Sequence, residues 1–241
     1  MKLLRPQWPV SGRVQACVST RQGGASRGAF QGLNLGDHVG DDPQSVAQNR
    51  QNLAAQLGLE RPAQWLQQVH GVDVVQAVAD GQVRQADACW SDQPGLACVV
   101  MTADCLPVFF SDGCKVAVAH AGWRGLVAGI LENTLAVFER PEQVHCWLGP
   151  AIGPEAFEVG AEVQEAFCVA HPAAAEAFVA RVGVPGKYFA DIYALARLRL
   201  EAIGVASVSG GDFCTLNDAQ NFYSYRRDGE TGRMASLIWL A

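Results

Sequence analysis

Two imidazoles and a thiol stand where apolar runs of this chain break off. Trp65-Leu66-Gln67-Gln68-Val69 ends in His70-Gly71, Val99-Val100-Met101 ends in Thr102-Ala103-Asp104-Cys105, and Val116-Ala117-Val118-Ala119 ends in His120-Ala121-Gly122. Strand ends that run into glycine or proline turns are the usual seat of site residues on a rigid scaffold. His70, Cys105 and His120 are suitable zinc ligands, and three protein ligands leave a fourth position for water or substrate. The alternative is a buried thiol and two hydrogen-bonded turn histidines, since no short ligand pair occurs. His38, His145 and His171 read as structural or surface residues.

Acids and cations near these positions extend the list. Asp104 adjoins Cys105 and is the nearest group able to move protons, provided the strand bends at Leu106-Pro107, because neighbouring strand residues point to opposite faces. Arg124 follows His120 within one turn, between Gly122 and Gly125, and is the strongest candidate clamp for an oxyanion, ahead of Arg50 and Arg226. Each of the three would equally serve as an ion-paired surface arginine.

Three loops carry further signals. Gly149-Pro150-Ala151-Ile152-Gly153-Pro154 follows a strand and either offers backbone N–H groups to an oxyanion or is a plain connector. Asn221 to Gly229 sets Phe222, Tyr223 and Tyr225 beside Arg226 and Arg227, either to stack on a base and bind phosphate or as a solvated hairpin turning at Asp228-Gly229. Ser19 to Gly24 and Leu33 to Gly40 make a long glycine-rich loop, and long ordered loops are often functional.

The elements that must position these residues follow from periodicity. Strands are expected at 14–20, 64–69, 72–78, 96–102, 107–110, 116–120, 144–148, 205–209 and 234–240. A helix is expected from Pro43, capped by Asp42, to Gly58, with Val46, Leu53 and Leu57 on one face. Others are expected from about Gly125 to Phe138, within 160–170, and from Asp191 to Gly204. Runs apolar on both faces imply a sheet covered on both sides, hence a mixed α and β class.

Composition narrows the field. The chain has 241 residues, 49% of them hydrophobic and 17% charged, enough for a sizeable core in a single domain over 1–241. Net charge is −6 and only Lys2, Lys115 and Lys187 are lysines, which argues against nucleic acid. No apolar run approaches the ~20 residues of a membrane span, and the first residues carry no secretory pattern. The eight cysteines are scattered and read as reduced thiols of a cytoplasmic protein. Zincin, esterase, P-loop and dinucleotide motifs are all missing from the sequence.

Seven strings together resemble one family. Ser19–Gly24, Leu33–Asp41, Gln68–Gly71, Thr102–Pro107, His120–Gly125, Gly149–Pro154 and Tyr223–Gly229 are similar to the YfiH/YlmD family, also called the polyphenol oxidase or laccase-domain family, from about Ser19 to Leu240. The resemblance implies an α+β fold, a single-domain α/β/β/α sandwich with mixed sheets. It also implies a zinc site at His70, Cys105 and His120, with copper as the other metal. Asp104 and Arg124 are the catalytic candidates, and Asn34, Arg50, Gly149, Ile152, Tyr225 and Arg226 the substrate-binding ones. Purine nucleosides and phosphate are the implied partners, with no nucleic acid and no membrane, in a monomer or weak dimer.

The activities implied are phosphorolysis of adenosine, inosine, guanosine and methylthioadenosine, and deamination of adenosine. The usual His-x-Glu and Pro-Cys-x-x-Cys deaminase signature is missing. Three alternatives compete: a copper polyphenol oxidase, a cytosolic hydrolase editing peptidoglycan precursors, and a non-catalytic nucleoside sensor. A multi-copper centre calls for far more imidazoles than the five histidines present.

Overall fold

A computed structural model describes residues Met1 to Ala241. Its two main sheets are built from β1 (Leu3–Leu4), β2 (Val14–Ser19), β3 (Val74–Gln76), β4 (Ala88–Ser91), β5 (Cys98–Thr102), β6 (Leu106–Ser111), β7 (Val116–Ala121), β8 (His145–Leu148), β9 (Ser207–Gly210) and β10 (Met234–Leu240). The helices are α1 (Pro43–Leu57), α2 (Trp123–Ala128), α3 (Ile130–Leu135), α4 (Ala161–Ala170), α5 (Ile192–Ala202) and α6 (Tyr225–Asp228).

One sheet is four-stranded, ordered β1-β2-β10-β5 and antiparallel throughout. The other is six-stranded, ordered β9-β8-β6-β7-β4-β3, and mixed because β8 with β9 and β3 with β4 run parallel. Alternation of side chains across the strands sorts the core into layers. Phe109 of β6 packs in the same cluster as Val18 and Val100, between the sheets. Its neighbour Phe110 faces the other way, into the cluster with Leu131, Phe167 and Leu195 of α3, α4 and α5. On the far side of the four-stranded sheet, Cys17 and Val99 meet Leu53 of α1. The fold is therefore mixed α+β, with helices outside both sheets.

Local chemistry accounts for the helix ends. Asp42 accepts hydrogen bonds from the backbone N–H groups of Gln44 and Ser45, and Gly58 ends α1 in the left-handed region at φ +66°. Asp191 caps α5 through Tyr193 and Ala194. The helix expected over 125–138 starts earlier, at Trp123, and is broken by Gly129 at φ +106° into α2 and α3. The strand expected over 64–69 shrinks to Leu66–Gln67, paired with Arg84–Gln85. The segment that the sequence leaves open between a ligand-binding stretch and a hairpin turning at Asp228-Gly229 contains the helical turn α6, capped by Ser224. Several elements have no counterpart among the expectations: β1, the strand Arg84–Gln85, β4 inside the six-stranded sheet, and a small sheet of Glu158–Gly160, Lys187–Ala190 and Phe178–Ala180. All eight cysteines are free, and no helix is long and apolar enough to cross a membrane.

Candidate metal centre and substrate cavities

Strand pairing brings two of the three expected ligands together. At the end of the β6–β7 ladder Leu106 faces Ala121 and Pro107 faces His120, so Cys105, just ahead of β6, lands beside the His120 ring. His70 arrives from a turn of its own, in the left-handed region at φ +61°, an uncommon conformation for any residue with a Cβ. Asp87 pins that turn. Its fully buried carboxylate accepts from the N–H groups of Val69 at 3.2 Å, His70 at 2.9 Å and Gly71 at 2.7 Å.

The same carboxylate lies 2.8 Å from Nδ1 of His120. A carboxylate on Nδ1 holds the proton there and leaves Nε2 facing the Cys105 sulfur, where it can ligate a metal on giving up its own proton, the arrangement found behind metal-bound histidines. The donor atoms of His70, Cys105 and His120 all lie within 4.8 Å of one another, with Nε2 of His70 3.8 Å from the sulfur. Burial pushes the Cys105 thiol up, but the charge of His120 and hydrogen bonds from both rings outweigh it and bring its pKa down. Burial works against a charged His120, yet the Cys105 thiolate and Asp87 raise its pKa. A thiolate held at neutral pH is the form a metal requires.

Two glycines make the approach possible. A Cβ on Gly122 would stand 2.7 Å from Cδ2 of His70 and 3.2 Å from the sulfur of Cys105, and one on Gly125 would stand 2.7 Å from the carbonyl oxygen of Gly71. The donor set, its close spacing and the Asp87 support fit one metal ion of the zinc or copper kind. They do not fit several. His145 is committed to Ser207 at 2.8 Å, His171 closes α4, and His70, Cys105 and His120 form the one group of three ligands.

Two cavities meet at this centre, sharing Ala103, Cys105 and Tyr225. The first, about 260 Å³, has Trp123, Ile152, Phe157 and Ile192 in its walls, with Arg124 and Arg226. The second, about 380 Å³, is more polar and runs past His70 and His120 to His38, Gln68 and Arg233. Thr102 also lines it, and the Thr102 hydroxyl is buried without a hydrogen-bond partner.

The other expected site residues divide. Arg124 is exposed, its guanidinium 4.4 Å from the centre of the Trp123 ring, with no ion-pair partner. Tyr225 lines both cavities and Arg226 the first, where Arg226 gives one hydrogen bond to the carbonyl of Glu158. Asp104 also lines the first cavity, at φ +88°, but its carboxylate accepts from the hydroxyls of Thr215 at 2.6 Å and Ser224 at 3.0 Å and from the N–H of Arg226 at 2.7 Å. Its oxygens tie loops together and are not directed at the three ligands.

Arg50 lies outside both cavities. It is held by Asp37 at 3.2 Å, stacked 3.9 Å over Trp65, and bonded to the carbonyl of Leu35. Asn34 is fully buried with its amide spent on Gly36, Asp41 and Arg233. The Gly149–Pro154 loop cannot serve as an oxyanion hole. Gly149 donates to Pro107, Ala151 to the Tyr193 hydroxyl, Ile152 to the Asp104 carbonyl and Gly153 to Cys214, and its two prolines have no N–H. Ile152 still contributes its side chain to the apolar wall.

Two important residues escaped the sequence reading. Asp87 is the sole acid in the run Ala86-Asp87-Ala88-Cys89-Trp90, a signal of a buried carboxylate that needs a partner. Arg233 stands one residue ahead of the fully buried β10, a charge at the edge of the core.

Fold and site together define a class: a mixed α+β sandwich whose strand ends gather one open three-ligand metal group between an aromatic and a polar cavity. The chain belongs to the laccase-domain family, described as multi-copper polyphenol oxidoreductase laccase, whose model matches residues 15–241. Purine nucleoside phosphorylase PA4543 of Pseudomonas aeruginosa is 56% identical over 240 residues, covering 98% of each chain. Purine nucleoside phosphorylase YfiH of Escherichia coli is 52% identical, covering 99% of each. Among solved structures, Neisseria meningitidis protein NMB0706 matches with a TM-score of 0.95 at 51% identity, over 100% of this chain and 99% of that one. YlmD from Geobacillus stearothermophilus matches at 0.88 and 30%, over 99% of each.

Proposed function

We propose that this protein phosphorolyses purine nucleosides. The observation that carries the reading is the pair of cavities joined at Cys105, one suited to a flat base and the other to a polar co-substrate; the relatives named purine nucleoside phosphorylase support it over nearly the whole chain. In the reaction a phosphate oxygen forms a bond to C1′ of the ribose while the C1′–N9 bond breaks. The bonding electron pair leaves with N9, which takes up a proton, and ribose 1-phosphate remains.

The chain's own groups bind and orient. Trp123, Ile152 and Phe157 cover the faces of the base, and burial of aromatic surface is tolerant of which purine is held. The one carboxylate in that wall, Asp104, is already hydrogen-bonded, so no free carboxylate demands a 6-amino group, and the exposed Arg124 can donate to a 6-oxo group or turn to solvent beside a 6-amino one. Adenosine, inosine, guanosine and methylthioadenosine are therefore all substrates in this reading. His70, Cys105 and His120 would hold zinc, which would supply a fixed positive charge and Lewis acidity where the two cavities meet.

Deamination of adenosine ranks second. It needs a group that shuttles protons at C6, and the Asp104 carboxylate is engaged elsewhere. Polyphenol oxidation ranks lower still, because one three-ligand group lacks the ligands of a multi-copper centre. Incubating the purified protein with adenosine, with and without phosphate, and resolving the products tests the order. Adenine and ribose 1-phosphate should form only with phosphate, and inosine more slowly in either case. Base release at the same rate without phosphate, or faster turnover of a phenol, would sink the proposal.

A further inference from the structure

We infer that inorganic phosphate is held in the polar cavity by Arg233, leaving the aromatic cavity beyond Cys105 to the nucleoside. The inference rests on the phosphorylase reading for the identity of the anion and on the geometry for its place.

Arg233 is a half-buried cation without an acidic partner among the ion pairs of the molecule. Its Nη1 donates to the carbonyls of Thr231 at 2.8 Å and Gly232 at 3.0 Å, which fixes the plane of the guanidinium. Nε and Nη2 make no hydrogen bond within the protein. A planar fork with one edge anchored and the other free is the geometry that binds phosphate bidentately.

The glycine-rich loop builds the seat. Asn34 Oδ1 accepts the backbone N–H of Arg233 at 2.8 Å, and the side-chain stem of Arg233 lies so close to Gly36 that a Cβ there would stand 2.8 Å from its Cγ. Asn34 thus acts on a ligand through Arg233, as a positioning residue.

Charge in this cavity favours an anion. No carboxylate lines it, the Cys105 thiolate that does is matched by the charge of His120, and Asp37, the carboxylate nearest His38 at 3.5 Å, is itself paired with Arg50. The buried Thr102 hydroxyl adds a polar group that nothing in the protein satisfies, and such groups are costly unless something bonds them. The competing clamp, Arg124, is exposed and stacked on Trp123 among apolar walls. An oxyanion there would meet Arg226 as well, but it would sit beside the Asp104 carboxylate and against the apolar surfaces of Ile152, Phe157 and Ile192.

The test compares wild-type protein with Arg233→Gln, Arg233→Lys and Arg124→Gln. Initial rates of inosine phosphorolysis are measured against phosphate and against inosine, and the Tm shift given by millimolar phosphate is measured at matched ionic strength without nucleoside. Arg233→Gln should raise the KM for phosphate about ten- to a hundredfold, the loss of a charged hydrogen bond, leave the KM for inosine within about twofold, and cancel the Tm shift. Arg233→Lys keeps the charge without the fork and should fall between. Arg124→Gln should move the inosine KM and keep the phosphate-induced Tm shift. Should Arg233→Gln fail to fold, an unchanged phosphate KM in Arg233→Lys overturns the inference. So does loss of the phosphate response in Arg124→Gln with Arg233→Gln unaffected. Wild-type protein that turns over no nucleoside, yet is stabilised by phosphate through Arg233, would keep the anion site and remove the phosphorylase reading. Protein that does neither removes both.

Discussion

A single carboxylate organises the candidate metal centre from behind. Asp87 takes three backbone N–H groups from the turn carrying His70 and the Nδ1 proton of His120, so it sets both the strained backbone of one ligand and the tautomer of another. Asp87→Asn should retain the fold, since the amide oxygen can still accept from the turn. Oδ1 serves both the His70 N–H and Nδ1 of His120, and Oδ2 the N–H groups of Val69 and Gly71, so whichever way the amide turns, its NH2 opposes a donor and disturbs either the His120 ring or the turn that carries His70. Metal affinity, measured by competition with a chelator, should fall about ten- to a hundredfold, as it generally does when the hydrogen bond that orients a ligand is lost. Unchanged affinity would mean that Asp87 supports neither His70 nor His120 as a metal ligand. At this scale the sequence was informative about ligands and silent about their support. His70, Cys105 and His120 announce themselves by type and by standing at strand ends. Arg233 does not, because the Asn34 amide that seats it lies 199 positions away along the chain.

Helices whose ends carry their own chemistry were legible, and those that end for other reasons were not. Asp42, Pro43 and Gly58 bound α1 locally, and α1 runs between them. Between Trp123 and Leu135 the apolar period is unbroken, and only the backbone at Gly129, at φ +106°, shows that two short helices meet there. Gly129→Ala separates the two readings. In a continuous helix alanine would stabilise by up to about 1 kcal/mol; at this positive φ it should destabilise by more than about 1 kcal/mol, read by urea denaturation. The side chain itself is not crowded, its nearest neighbour being Glu132 Oε2 at 3.6 Å, so a loss of stability reports backbone strain. Strand β4 was missed for a different reason. It is four residues long with Trp90 only half-buried, too short to show a period, and it exists because β7 and β3 flank it.

At the scale of the molecule the sandwich gives the three ligands to one point from three separate segments: the turn at His70, the approach to β6, and the end of β7. None of the three is close to another in sequence, so the unfolded chain has no comparable site, and a metal that binds the folded state alone must stabilise it. Free zinc at a hundred times its dissociation constant adds roughly 2.7 kcal/mol. For a chain of this size each kcal/mol moves Tm by about 2–4 °C. Metal-stripped protein given zinc should therefore melt about 5–11 °C higher, and treatment with a chelator should reverse the gain. Cys105→Ser keeps the size of the side chain and the pairing of β6 with β7 but replaces the soft donor, so its Tm should respond little to zinc. An equal rise in wild type and Cys105→Ser, with one zinc retained per chain, would place the metal away from the meeting point of the cavities and leave His70, Cys105 and His120 as a hydrogen-bonded cluster.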